Sequence, residues 1–200
     1  MHKINRKAFF DAYRRAWGPL TQNQVLGIGL LLNSMEMDRA IVDLRHAAYM
    51  LATVKHECAD TWMPIVERGT PAYFAMYEPG TRKGDALGNT HPGDGARYKG
   101  RGYVQISGLD NYVRVGIAIG IGDTLRLYPD QALDVATAYR IMSVGMRDGL
   151  FTGVGLSKYI NPDRCDYAQA RRIINAMDRA DLIASYAVSL EAMLTAGAHL

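Results

Sequence analysis

The order of apolar and polar positions along this chain predicts helices toward both ends and an irregular, glycine-rich segment between them. Asn5 precedes a run through Trp17 and is the expected N-cap of a first helix. Thr21 followed by Gln24 has the form of a capping box that opens the apolar run Val25 to Leu32. Asp38 is expected to cap a long helix in which Ile41, Leu44, Ala48, Leu51 and Ala52 recur at helical spacing, ending near Glu57. Farther on, Asp130 to Asp148 reads as a helix with Gly149 just past its end. Asp178, with Asp181 three residues later, opens a last amphipathic segment toward Ala196, whose apolar stripe is explained by a core.

Between Gly80 and Gly108 the texture changes. Eight of the chain's 20 glycines fall there, with Asn89 and Pro92, which is turn chemistry rather than helix. Within it, Arg97 to Ser107 is expected to form a short hairpin, since Tyr103, Val104 and Ile106 are strand formers. A plain linker would lack the interleaved Tyr98, Lys99, Arg101, Tyr103 and Gln105, so the lobe over about 78–111 reads as functional.

Composition narrows the classes. At 200 residues and 48% hydrophobic, one core and one domain over 1–200 are expected. The balance of 23 basic against 20 acidic residues does not argue for nucleic acid, and it leaves approach to an anionic wall polymer open. The first residues lack an uninterrupted apolar core and a small-residue cleavage site, so no secretory signal is read and synthesis in the cytoplasm is expected. The longest apolar run is far short of the ~20 residues of a membrane span, so no stable membrane insertion is expected. Cys58 and Cys165 form no CxxC and no Cys/His cluster, so both are read as thiols and neither metal nor cofactor is expected.

Glu57 is the first residue to suggest chemistry. A carboxyl near a helix C-terminus meets the negative end of the helix dipole, and apolar neighbours such as Val54 and Trp62 further disfavour its charge, which suits a general acid. A glycosidase needs a second carboxylate, and Glu67 in PIVERG and Glu78 in MYEPG both lie downstream. Either can equally be an ion-pairing residue, Glu67 with Arg68 or Arg82 for example, and spacing does not choose. His56 and His91 lack a nucleophile elbow or a third partner, so they are read as structural or substrate-contacting. Tyr98 and Tyr103 offer flat surface for sugar rings or brace the loop.

HEC at His56 to Cys58, Glu78 21 residues on, YKGRGYVQIS at Tyr98 to Ser107, Asn111, and RRIINAMD at Arg171 to Asp178 together resemble glycoside hydrolase family 19, the chitinase-like endolysins. The likeness runs from about Lys55 to Tyr186. It implies a mainly helical, lysozyme-like domain with a glycine-rich lobe. It also implies Glu57 as general acid, Glu78 as general base, with Glu67 as the alternative, and Ser107 holding the attacking water. Gln105, Asn111 and Asn175 match sugar-contacting positions. On the physical side, Gln105 and Ser107 at alternate positions of an extended strand would project onto one face.

Plant members of that family carry disulfides and secretion signals, neither of which is read in this sequence. The resemblance is therefore to a phage or prophage endolysin that acts as a monomer on peptidoglycan glycan strands, reaching the periplasm once the inner membrane is opened. The expected reaction is inverting hydrolysis of β-1,4 bonds. Three alternatives are a chitinase acting on N-acetylglucosamine polymers, a lytic transglycosylase, which has no use for Glu78 and Ser107, and a non-catalytic wall-binding protein.

Overall fold

The computed structural model describes residues 1–198. In chain order its helices are α1 (Arg6–Trp17), α2 (Gln22–Met37), α3 (Leu44–Glu57), α4 (Pro71–Phe74), α5 (Arg82–Ala86), α6 (Asp94–Arg97), α7 (Leu109–Ala118), α8 (Thr124–Leu127), α9 (Val135–Asp148), α10 (Tyr167–Ala170) and α11 (Ala180–Ala198). Two-residue strands complete the order: β1 (Ile65–Val66), β2 (Arg101–Gly102), β3 (Ile160–Asn161) and β4 (Arg164–Cys165). The mainly helical reading holds. Among the described residues no helix is long and apolar enough to cross a membrane. The chain divides into two compact units, one of residues 1–63 with those from 146 onward, the other of Pro64–Gly145.

In the first unit the caps predicted for α1 and α2 are present. Asn5 accepts a hydrogen bond from Ala8 N at 2.9 Å, and Thr21 and Gln24 bond reciprocally to each other's main chain. The third helix starts later than expected. Asp38 ends α2, and its carboxylate accepts from Ala40 N, while Asp43 accepts from Arg45 N and opens α3. Both aspartates accept from the amide two residues on, but after Asp38 the chain closes only a single turn, Ile41 N to Asp38 O, and stays non-helical until Asp43.

α3 is the centre of this unit, with the nine consecutive residues Ala47 to Lys55 buried on all faces. α11 packs on it through Ile183, Ala187, Leu190 and Leu194, and α1 and α10 pack on α11. α11 begins at Ala180 rather than Asp178, because Arg179 takes a left-handed backbone with φ of 57°.

In the second unit β1 pairs antiparallel with β2, Ile65 opposite Gly102 and Val66 opposite Arg101. The hairpin expected within Arg97–Ser107 shrinks to a single bridge between Arg101 and Ile106. Gly102 at φ 87° and Gln105 at φ 53° interrupt the extended run, so the ladder forms with a segment far away in sequence. The helix expected from Asp130 begins at Val135. Residues Pro129–Leu133 form a 3-10 turn, the Asp130 carboxylate binds Arg101, and Asp134 takes the capping bond from Thr137 N at 2.8 Å. Arg101, nearly inaccessible, ties this unit together by also donating to Arg97 O, Lys99 O and the Tyr112 hydroxyl.

Candidate active site

Glu57, His56 and Asn175 lie in the first unit, and Glu67, Glu78, Tyr98, Gln105, Ser107 and Asn111 in the second. Glu57 is the last residue of α3, its side chain 18% exposed. It is not the isolated carboxylate of the sequence reading. Arg171, only 2% exposed, donates through Nη1 to Glu57 Oε1 at 2.7 Å and through Nε to Asp178 O. A buried guanidinium requires such an anion, and the pair fixes the carboxylate's orientation. Among the described residues the fully buried Tyr49 hydroxyl has no hydrogen-bond partner. Burial pushes its phenol well above the ordinary range, Arg171 opposing and Glu57 adding to the shift.

The loop after Glu57 is strained. Ala59, Asp60 and Trp62 all have positive φ, 48°, 60° and 62°, a region that non-glycine residues seldom occupy. What holds it is a knot centred on Asp60, whose carboxylate accepts from Lys55 Nζ at 2.7 Å and from the Trp62 indole at 2.8 Å. Its amide donates to Lys55 O, and its carbonyl accepts from Gln24. The Lys55 ammonium lies 4.4 Å from the Trp17 ring centroid, with Tyr13, Trp62 and Tyr186 around it. At Gly27 a Cβ would meet Trp62 O at 2.5 Å, so α2 must carry glycine there for the loop to approach. The apolar neighbours Val54 and Trp62 are fully buried. His56 is half-buried, and Asn175 is exposed beyond Arg171, its Oδ1 accepting from Ala176 N.

In the second unit Glu67 directly follows β1 and extends its pairing by one residue. Glu67 N donates to Gly100 O, and Gly100 N donates to Glu67 Oε2, both at 2.8 Å. The first glycine of the GRG segment lets these side chains approach closely, since a Cβ would stand 2.9 Å from Gln105 Oε1 and 3.2 Å from Glu67 Oε2. The other carboxylate oxygen accepts from the Tyr73 hydroxyl at 2.8 Å, with the Tyr77 hydroxyl at 3.5 Å. Neither Arg68 nor Arg82 pairs with Glu67 among the described contacts.

Gln105 does not lie on an extended strand with Ser107. Its backbone is left-handed, and its amide donates to Ile65 O and Gly102 O, clamping β1 to β2. Ser107 Oγ donates to Gln105 O at 3.2 Å, and Asn111 Nδ2 donates to Ser107 O at 2.7 Å. Gln105, Ser107 and Asn111 therefore form one hydrogen-bonded series, clamped to the strand pair that Glu67 and Gly100 extend.

Glu78 is placed differently. Its two oxygens accept from Gly93 N at 2.6 Å and Gly95 N at 3.2 Å, so the carboxylate staples the glycine-rich turn before α6. Tyr98, 6% exposed, donates its hydroxyl to Arg126 O, which makes it a brace and leaves little ring surface for a sugar. Tyr103 is likewise buried. Three contributors escaped the sequence reading: Arg171, the Lys55–Asp60 knot and Tyr73. Lys55 alone left a signal, a lysine interrupting a buried helical run.

No family model matches the chain, and no curated protein matches it. Solved structures do. Chitinase C from Streptomyces griseus HUT6037 matches with a TM-score of 0.64 at 19% identity, over 96% of this chain and 76% of that one. A chitinase C mutant carrying a Glu-to-Gln change matches with a TM-score of 0.60 at 19% identity, over 96% of this chain and 92% of that one. At such identity the likeness is one of fold, and the chain has the mostly helical, lysozyme-like fold of chitinase C.

Proposed function

We propose that this protein is a glycoside hydrolase that cuts β-1,4 bonds in the glycan strands of bacterial peptidoglycan, with Glu57 as proton donor. The observation that carries the reading is Glu57 itself, which stands at the end of the most buried helix in a chitinase C fold. There a buried arginine and a strained, heavily braced loop hold it. Fixing strain around one half-buried carboxyl suits a group that must be presented accurately to a substrate.

Single-displacement hydrolysis needs a second carboxylate to activate water. Between the two candidates the geometry favours Glu67. Its main chain and carboxylate pair with Gly100 beside the strand pair that Gln105 clamps, with Ser107 and Asn111 following that clamp, whereas the Glu78 carboxylate staples the turn at Gly93 and Gly95. In this reading Ser107 Oγ, which keeps lone pairs beyond its one donated bond, helps hold the water. The amides of Asn111 and Asn175 and the His56 ring are the proposed sugar contacts, with Gln105 acting through the strand pair it clamps. The net charge of +3 suits an anionic wall polymer, and the proposal extends to the role of an endolysin acting in the periplasm as a monomer.

A second reading has an observation of its own, since the matching structures are chitinases. Purified peptidoglycan and chitin oligomers, each incubated with the protein and assayed for new reducing ends, separate the two. Release from peptidoglycan is expected, and release from chitin alone would make the protein a chitinase. Binding to either polymer without any release would make it a wall-binding protein.

A further inference from the structure

We infer that Tyr73 is a positioning residue for the Glu67 carboxylate, fixing the plane in which Glu67 meets the attacking water. The inference rests on Glu67 being the second carboxylate. Main-chain pairing holds Oε2 through Gly100 N, but that bond alone leaves the carboxylate able to swing about it. Tyr73 removes this freedom by donating to Oε1 at 2.8 Å.

The tyrosine is itself held in place. Thr70 Oγ1 caps α4 by accepting from Tyr73 N. The ring meets Phe74 edge-on at 5.2 Å between centroids and Tyr77 at 5.9 Å. It also lies so close to the turn after Glu67 that a Cβ at Gly69 would stand 2.4 Å from Tyr73 Cδ1. The hydroxyl therefore reaches Glu67 from a rigid ring, while 37% of the residue stays open to solvent, where a water molecule can approach. Tyr77 and the Glu67 carboxylate both hold the phenol in its protonated, donating form.

The other titratable and charged groups near Glu67 sit on separate elements. Tyr77 follows α4, and Lys99 lies against the Phe74 ring. Arg101 on β2 is engaged by Asp130, and Tyr112 on α7 has a phenol pushed up to about 12, mainly by burial and in small part by Glu67. Of these only Tyr77 also reaches Oε1, at 3.5 Å, too long to replace the Tyr73 donor. The geometry asks of a base that its oxygen lie within hydrogen-bond reach of the proton it takes, and a carboxylate free to rotate meets that condition less often.

The test compares Tyr73→Phe, Tyr77→Phe and Glu67→Gln on soluble glycan strands, with rates normalised to the folded fraction from circular dichroism melts. Phenylalanine keeps the ring contacts, so folding survives. Tyr73→Phe is expected to lower kcat by about tenfold, the scale of one hydrogen bond to a charged group, with KM nearly unchanged. Removing a donor disfavours the charged carboxylate, so the acid limb of the kcat/KM profile moves to higher pH. Tyr77→Phe should do the same more weakly, given its longer contact. If Glu67→Gln is inactive while Tyr73→Phe keeps the wild-type kcat and pH profile, the positioning role is overturned and Glu67 remains the second carboxylate. A rise in KM alone would make Tyr73 a substrate contact instead. An active Glu67→Gln would overturn both the positioning role and the assignment of Glu67.

Discussion

Glu57→Gln is expected to fold and to lose hydrolytic activity by about 10²–10⁴-fold, the usual contribution of general acid–base catalysis. Glutamine keeps the length of the side chain and a carbonyl oxygen that can still accept from Arg171 Nη1, so the local hydrogen bond persists. What it loses is the proton to give and the negative charge opposite a guanidinium that is only 2% exposed. Breaking a buried pair by deleting one partner costs about 3–5 kcal/mol, and the retained acceptor together with the 18% exposure of Glu57 keeps the loss below that range. For a chain of this size about 1 kcal/mol moves Tm by about 2–4 °C, so melting should fall by several degrees and still lie above assay temperature. Rates corrected for the folded fraction isolate the chemical loss. A folded Glu57→Gln protein with near wild-type turnover would remove Glu57 from the mechanism.

The second large effect separates Glu67 from Glu78, because the two carboxylates differ in what they hold. Glu67→Gln should lose activity on the same ~10²-fold scale with only a small change in melting, since its one carbonyl oxygen can accept from Gly100 N while the Tyr73 hydroxyl turns to accept from its NH₂. Glu78→Gln should do the reverse. An amide NH₂ would be turned toward either Gly93 N or Gly95 N, a donor facing a donor, so one of the two stapling bonds is lost. A hydrogen bond to a charged group is worth about 1.5–3 kcal/mol, less here because the segment is partly exposed. Melting should therefore drop, with turnover per folded molecule largely kept. If Glu78→Gln is the inactive but stable variant, Glu78 is the second carboxylate.

The parts of the fold legible in the sequence are those set by local chemistry. The Asn5 cap and the Thr21–Gln24 box read directly, because each is closed within three residues. The start of α3 did not, because Asp38 and Asp43 are both good caps and each accepts from the amide two residues on, so no local signal decides between them. Strand formers at Tyr103, Val104 and Ile106 suggested a local hairpin. The left-handed turn at Gln105 and the distant partner at Ile65 and Val66 have no local signature.

The candidate site divides in the same way. Glu57 at a helix end was legible from spacing, whereas its partner Arg171 lies 114 residues away and nothing in either segment announces the other. Spacing left Glu67 and Glu78 open, and only the family resemblance pointed to Glu78 as the second carboxylate. In space it is Glu67 that pairs with the GRG strand, through main-chain bonds that carry no sequence signal.

The most direct measurement of the central claim is the anomeric configuration of the first product, read by ¹H NMR on soluble peptidoglycan glycan strands before mutarotation. A proton from Glu57 and one water activated by a second carboxylate give a new reducing end of inverted configuration. Retained configuration, or a 1,6-anhydro product formed without water, would contradict the account.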